Sequence, residues 1–318
     1  MSLDQLLIAE ASPEALDAIA ALCGRAFGTP DAAWFAQGMR TDPHAAEAIT
    51  LMAIAEGEIA STLRIFAREI RWQARWLRLG GIGNVATAPE HRGRGLANLL
   101  MHHTIERMAQ RGFEIALLFT GVPRVYEKSG FVLTAQPWFR ARLDSLRGED
   151  LADAAVRPLR DEDLPHLLPL FDAFNGGRSG PARRTEALWR WSRALNAQDD
   201  TLSLVAEHGH TPVAYARAMP GPLGTLRVHE LIAEDIESAG ALLHAIASHA
   251  LDLGHREIVL SLPDWPLIRR TVEDVFSHQT STPQPAAMWR SLPGGPSQDE
   301  IAALAHSGEL HFWAGDRF

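Results

Sequence analysis

Cysteine, tyrosine and lysine are nearly missing from this chain of 318 residues, which has one Cys, two Tyr and, in Lys128, a single Lys. One cysteine excludes a disulfide framework and any cysteine-based zinc site of familiar spacing. His244 and His249 lie five apart on a helical pattern and point to different faces, so no metal is expected. No apolar run approaches the roughly 20 residues a bilayer span needs, and residues 1–20 lack a basic, strongly apolar leader. No membrane association or export is therefore expected, and a cytoplasmic location is. The signatures G-x-S-x-G and G-x-x-x-x-G-K-[ST] are missing, and no G-x-G-x-x-G stands between a strand and a helix, which removes the common serine-hydrolase and nucleotide-loop signals. Positive charge is also short: 30 Lys+Arg against 39 Asp+Glu leave a formal charge of −9. Such a surface repels polyanions, so nucleic acid is not an expected partner, and an amine-bearing, cationic partner is easier to accept. The skew toward arginine reads as genome composition.

What is present is enough apolar residue, 46%, for two ordinary domains. Ser12-Pro13-Glu14 opens a helix whose stripe Leu16, Ile19, Ala20 and Cys23 is apolar, making Cys23 a small core residue. Residues 48–55 and 58–67 flank the turn Glu56-Gly57, and 71–79 alternates Arg and Gln with Trp and Ala. That alternation suits a sheet with one solvated face, with a nucleic-acid stacking platform as the rival reading. A short strand over 80–88, a long helix over 95–111, a strand over 113–120, a short helix ending at Gly130 and a strand over 131–143 broken at Pro137 follow. Polar residues 144–153 read as a linker. Beyond them the same order of elements returns, with strands near 156–159, 202–207, 211–218, 225–233, 257–262 and 287–292, and helices over 161–174, 238–253 and 265–276. A capping box at Ser297 starts a last helix. The fold class is α+β: one mixed, mostly antiparallel domain plan used twice, over 1–145 and 155–318.

One phrase carries chemistry. Arg92-Gly93-Arg94-Gly95-Leu96-Ala97 stands between a strand and a helix, where glycines let backbone N–H groups converge on an anion at the helix's positive end. Arg78-x-x-Gly81-x-Gly83 fits the same pattern with no helix after it and reads as a decoy.

Asn84-Val85-Ala86-Thr87-Ala88-Pro89-Glu90-His91 leading into that phrase, then Tyr126-Glu127-Lys128-Ser129-Gly130-Phe131, resembles the GNAT superfamily of acyl-CoA-dependent N-acyltransferases. The resemblance implies acetyl-CoA as co-substrate. It implies backbone contacts from Val85, Ala86 and Thr87 to the pantetheine arm, and a diphosphate held by Arg92, Gly93, Arg94, Gly95, Leu96 and Ala97. It also makes Tyr126 the general acid that protonates the departing thiolate, against a plain packing role for the ring. The acceptor would be a primary amine on a small molecule or peptide. A closer resemblance is to Eis-type acetyltransferases, in which a degenerate second GNAT domain follows the active one. Val156-Arg157-Pro158-Leu159, Trp189-Arg190-Trp191 and Val228-His229-Glu230-Leu231-Ile232-Ala233 are similar to that second domain. There Glu234, Asp235 and Glu237 occupy the cradle's position and would repel a diphosphate. Eis-type proteins add a third domain whose terminal carboxylate is the base. The 318 residues leave no room for it, and Phe318 is the candidate to supply that carboxylate instead. A non-catalytic acyl-CoA sensor is the competing reading. Trp34 and Phe35 either line the acceptor pocket or pack on the sheet, His102 and His103 read as one packed and one solvated residue, and 175–184 reads as a mobile connecting loop.

Overall fold

The computed structural model describes residues 6–28, 32–147, 154–195 and 202–318. Its strands are β1 Leu6–Glu10, β2 Ile49–Ala55, β3 Glu58–Trp72, β4 Arg75–Thr87, β5 Ile115–Leu118, β6 Val132–Arg142, β7 Ala155–Pro158, β8 Leu202–His208, β9 Thr211–Pro220, β10 Leu226–Ala233, β11 Glu257–Leu260 and β12 Gln279–Ser291. The helices are α1 Leu16–Phe27, α2 Ala32–Thr41, α3 Leu96–Gln110, α4 Arg124–Glu127, α5 Leu164–Phe174, α6 Glu186–Leu195, α7 Ile236–Asp252, α8 Pro266–Val275 and α9 Gln298–Ser307. All twelve strands join one sheet in the order β1-β2-β3-β4-β5-β12-β6-β11-β10-β9-β8-β7. Among the described residues only β4/β5 and β10/β11 pair in parallel as strands, so the sheet is mostly antiparallel as expected.

The order reads alike from either end, which is the signature of the repeated plan, with one exchange. β12 belongs to the second half by sequence and lies beside β5, while β6 belongs to the first half and lies beside β11. Each half thus receives its sixth strand from the other. Residues 144–147 do not act as a free tether: Arg147 N–H donates to Val275 O and Leu146 bridges to Phe276. The remainder of the expected linker, 148–153, lies outside the described residues.

Several local expectations shift. β3 and β4 are longer than the alternation suggested, and their turn sits at Gln73, whose φ of 53° is left-handed. β6 runs unbroken through Pro137, which faces Pro283 of β12, so neither proline interrupts pairing with a further strand. Segment 179–183 is a strap rather than a mobile loop. Gly180 N–H donates to Arg71 O, Arg71 N–H to Pro181 O and Arg183 N–H to Glu69 O, covering the stretch of β3 that β2 leaves unpaired. Trp72 is buried with its indole N–H on Glu300, and Trp76 is stacked beneath Arg71 and Arg183, so the Arg/Trp alternation serves packing. Cys23 is fully buried and its thiol is pushed up to about 12 by burial, a core residue as expected.

The exchanged strand has a measurable worth. Trp289 of β12 is 1% exposed and donates its indole N–H to Thr134 Oγ1 at 3.2 Å. Trp289→Ala should cost about 3–5 kcal/mol in urea unfolding. Expressed alone, residues 1–147 should give an aggregating chain by size-exclusion chromatography, because β5 and β6 both lose partners; co-expression with 148–318 should restore a soluble species.

Candidate active site

β5 accompanies β4 only from Leu79 to Ile82. Beyond that point β4 continues beside β3 alone, with a bulge that sets two residues, Asn84 and Val85, opposite Leu63 between the pairs Gly83/Arg64 and Ala86/Thr62. Asn84 takes φ 52° there. The edge of β4 from Gly83 to Thr87 that faces away from β3 therefore has no strand beside it, and a wedge opens between β4 and β5. Ser61 fixes the far end of the wedge: its hydroxyl donates to Ala86 O and meets Thr87 Oγ1, both at 2.9 Å. Ala86 is buried, while Val85 and Thr87 are half-buried along the opening.

The wedge leads to the start of α3. Gly93 and Gly95 adopt φ of 75° and 76°, and a Cβ at either would meet nothing within 4 Å, so conformation and not space requires glycine. Gly95 caps α3 with no side-chain hydrogen bond, and the first turn carries no acid. Its leading N–H groups are left for an anion. Leu96 anchors the turn by burying against Ala55 and Ala60, and Ala97 is half-buried. Arg92 donates to Ala26 O at 2.9 Å and Arg94 lies on His91, so these two exposed arginines brace the loop against α1 and against itself. The corresponding helix of the second half is filled: Asp235 caps α7 by accepting from Ser238 N–H at 2.7 Å, and Glu237 stands in the first turn.

Tyr126, on α4, packs edge-on to Phe131 and is bonded through its hydroxyl to Thr120, just past the end of β5. Burial pushes its phenol above the ordinary value and outweighs the Thr120 bond, so the hydroxyl is protonated at neutral pH.

Phe318 comes from the other side of the sheet. Leu63, Ile65 and Ile82 turn toward α3, while Leu77, Leu79, Ile70 and the Phe318 ring share the opposite face with α9. The ring stacks on Phe66 at 5.5 Å and lies 5.9 Å from Phe119. It sits so close to β4 that a Cβ on Gly81 would fall 2.3 Å from the Phe318 Cε1 atom, and the Phe318 backbone oxygen would lie 3.6 Å from a Cβ on Gly83. Arg78-x-x-Gly81-x-Gly83 is thus extended strand as expected, with glycine at 81 set by this contact. The tail is held along its length. Trp313 is fully buried with its indole N–H on Asn175 Oδ1, Ser192 Oγ donates to Gly315 O, and Asp316 receives Arg184 Nε at 2.6 Å. Arg184 also holds buried Glu230, which accepts from Tyr215. Burial pushes the Glu230 carboxyl up, but Arg184 and Arg217 outweigh it and keep it low, whereas burial prevails at Asp316 and raises it.

Trp34 is at the joint between the halves, its indole N–H on Leu195 O, and Phe35 is buried in the α1/α2 core. Both His102 and His103 are solvent-reaching beside Glu106, so neither is the packed residue expected. Buried Glu230, Arg184 and Asp316 were missed by sequence reasoning, since nothing local marks residues so far apart as one network.

Residues 8–134 match the family model described as an acetyltransferase (GNAT) domain. Two curated relatives from Streptomyces griseus, each an uncharacterized N-acetyltransferase, are 26% identical over 222 residues, 62% of this chain. The chain spans about half, 53%, of their length. A GCN5-related N-acetyltransferase from Kribbella flavida superposes with TM-score 0.72 at 22% identity, over 92% of this chain and 72% of that one. Eis1 from Mycobacterium abscessus gives 0.66 at 18%, over 90% and 74%. These likenesses establish a fold shared with those structures over 90–92% of the chain.

Two outcomes test the geometry. Gly95→Asp forces a side chain into left-handed backbone and sets a carboxylate at the helix end. It should weaken acyl-CoA binding at least about tenfold by calorimetry while thermal melting changes little. Buried His229 and His311 are both pushed down to about 3, mainly by burial. The unfolded chain protonates them near 6.5 and the folded chain does not until about 3. Their neutral burial thus supports the fold fully above the unfolded value, and that support drains as pH falls, by at most about 1.4 kcal/mol per pH unit each. Urea unfolding at pH 7.5 and 5.0 should show this loss, and His311→Phe should make it shallower.

Proposed function

We propose that this protein moves an acetyl group from acetyl-CoA to a primary amine by direct attack, with 1–145 as the catalytic repeat and 155–318 as a degenerate one. The observation that carries the reading is the wedge between β4 and β5 running into a helix end left without a cap, a shape that accepts an extended arm ending in a diphosphate. In this reading Val85, Ala86 and Thr87 bond the arm and the N–H groups of Gly93 to Ala97 bond the diphosphate, braced by Arg92 and Arg94. The closed start of α7 argues for one donor site per chain.

The acyl carbon then lies near the bulge. The acceptor nitrogen attacks it, forming the C–N bond, and the carbonyl oxygen takes up negative charge that the Val85 N–H stabilises. Collapse breaks the C–S bond, and the departing thiolate takes the proton of the Tyr126 hydroxyl, which its environment keeps in place. The proton leaving the amine goes to the Phe318 carboxyl, which the Arg184–Asp316 pair and Trp313 hold beside Gly83. The aromatic packing of Phe66, Phe119 and Phe318 over Gly81 and Gly83 argues for a short acyl group. A location in the cytoplasm, where acetyl-CoA is made and used, fits this chemistry.

Release of free thiol from acetyl-CoA with a panel of amines tests the reading. Tyr126→Phe should lower kcat about 100-fold or more with acetyl-CoA affinity unchanged. Appending two glycines after Phe318 should lower kcat likewise by displacing the carboxyl. A protein that binds acetyl-CoA and never releases thiol would be the sensor instead.

A further inference from the structure

The helix that carries Tyr126 is too short to hold itself. α4 has four residues and no side-chain cap, and Arg124, Val125 and Glu127 are exposed, so within α4 Tyr126 alone turns inward. A single turn gains too little from its own hydrogen bonds to persist, and its position is set by what it rests on. Part of that support is local. The Tyr126 ring lies on Phe131, its hydroxyl bonds Thr120, and its carbonyl accepts from Ser129 N–H at 2.9 Å and Phe131 N–H at 3.3 Å. The turn that follows α4 is pinned from outside: Arg290 of β12 donates from its guanidinium to the Ser129 carbonyl.

Arg290 stands opposite Ala116 of β5. Met288 belongs to the apolar cluster on which Val85 and Tyr126 pack, and Trp289 to the cluster on the other face, so alternation along β12 returns Arg290 to the Tyr126 side. No ion pair accounts for its charge. Arg290 is half-buried, has no carboxylate partner among the described residues, and its buried Nε makes no hydrogen bond. Burial pushes the guanidinium below its ordinary value, with no acid to oppose the shift. A half-buried cation is costly unless it is bonded, and what this one gains is a charge-assisted bond to the chain just after α4. Gly130 fits the same contact. Its φ of 76° is left-handed, and a Cβ there would fall on the Arg290 guanidinium, so glycine leaves room for the arginine as well as turning the chain.

We infer that Arg290 is a positioning residue for the proposed general acid: supplied by the second half, it fixes the turn after α4 and so keeps the Tyr126 hydroxyl beside the wedge. The inference rests on the acyl-transfer reading above. The exchanged strand then does more than close the sheet, because through it the second half aims the acid of the first.

Arg290→Ala should lower kcat for thiol release about 10- to 100-fold with acetyl-CoA affinity kept, since a displaced acid costs rate and not binding. In a Tyr126→Phe background the same substitution should change kcat by less than about twofold, because the group it aims is gone. Arg290→Lys, which can still donate to the Ser129 carbonyl, should recover part of the rate. The chain has two tyrosines, so protein labelled with carbon-13 at the tyrosine Cζ gives two NMR signals, which Tyr126→Phe assigns. In the wild type the Tyr126 signal should titrate above the ordinary phenol value of about 10. In Arg290→Ala it should move down toward that value as the ring gains solvent, while the signal of fully buried Tyr215 stays in place and reports an intact fold. Equal fold losses with and without Tyr126→Phe, or a Tyr126 titration that Arg290→Ala leaves unchanged, overturn the inference and leave acyl transfer standing. A panel of amines that releases no thiol sinks the acyl-transfer reading alone; the titration then decides by itself whether Arg290 holds the Tyr126 hydroxyl in place.

Discussion

The placement of β12 between β5 and β6 governs what the rest of the molecule can do. Because that strand lies in the first half's sheet, the chain leaving it through α9 emerges beside β3 and β4, and the last residues reach the wedge. A second half that kept its own sixth strand would end beside β11. The exchange also closes two edges at once, since β5 and β6 each have neighbours on both sides only when both halves are present.

The two halves share a plan and have diverged at the place where it matters. In the first, β4 parts from β5 and α3 begins on bare glycine. In the second, the matching bulge on β10 falls between Val228 and Glu230, and Glu230 is buried among Arg184, Arg217 and Tyr215. The second site has become a buried ionic anchor, and what it anchors is the tail. Isolated buried charges are costly, so such a cluster persists only when every member is matched. Here Arg184 pairs with both Glu230 and Asp316, and Arg217 reaches the same Glu230.

The local parts of this arrangement were legible in the sequence. The glycines at 93 and 95, the long helix after them, Tyr126 before Gly130 and the Ser297 cap, which accepts from Glu300 N–H at 3.1 Å, each leave a short signature because their physics acts within a few residues. The non-local parts were not. β12 was visible only over 287–292, since Pro283 and Pro285 mimic a turn until Pro137 and Ala135 are seen opposite them. Segment 179–183 has the composition of a loop, and only the unpaired edge of β3 makes it a strap. The arginines were read as a compositional habit because sequence order separates Arg184 from Arg217, which the fold gathers on Glu230.

The contact between Gly81 and Phe318 ties together two positions more than two hundred residues apart in the chain. No side chain can be added at one while the aromatic ring fills the space above it, and shrinking the ring would strand a void against β4. Neither site is therefore free to drift alone. Over evolutionary time the pair should vary jointly or hardly at all, leaving a correlated trace in descendants even where the surrounding strand has changed.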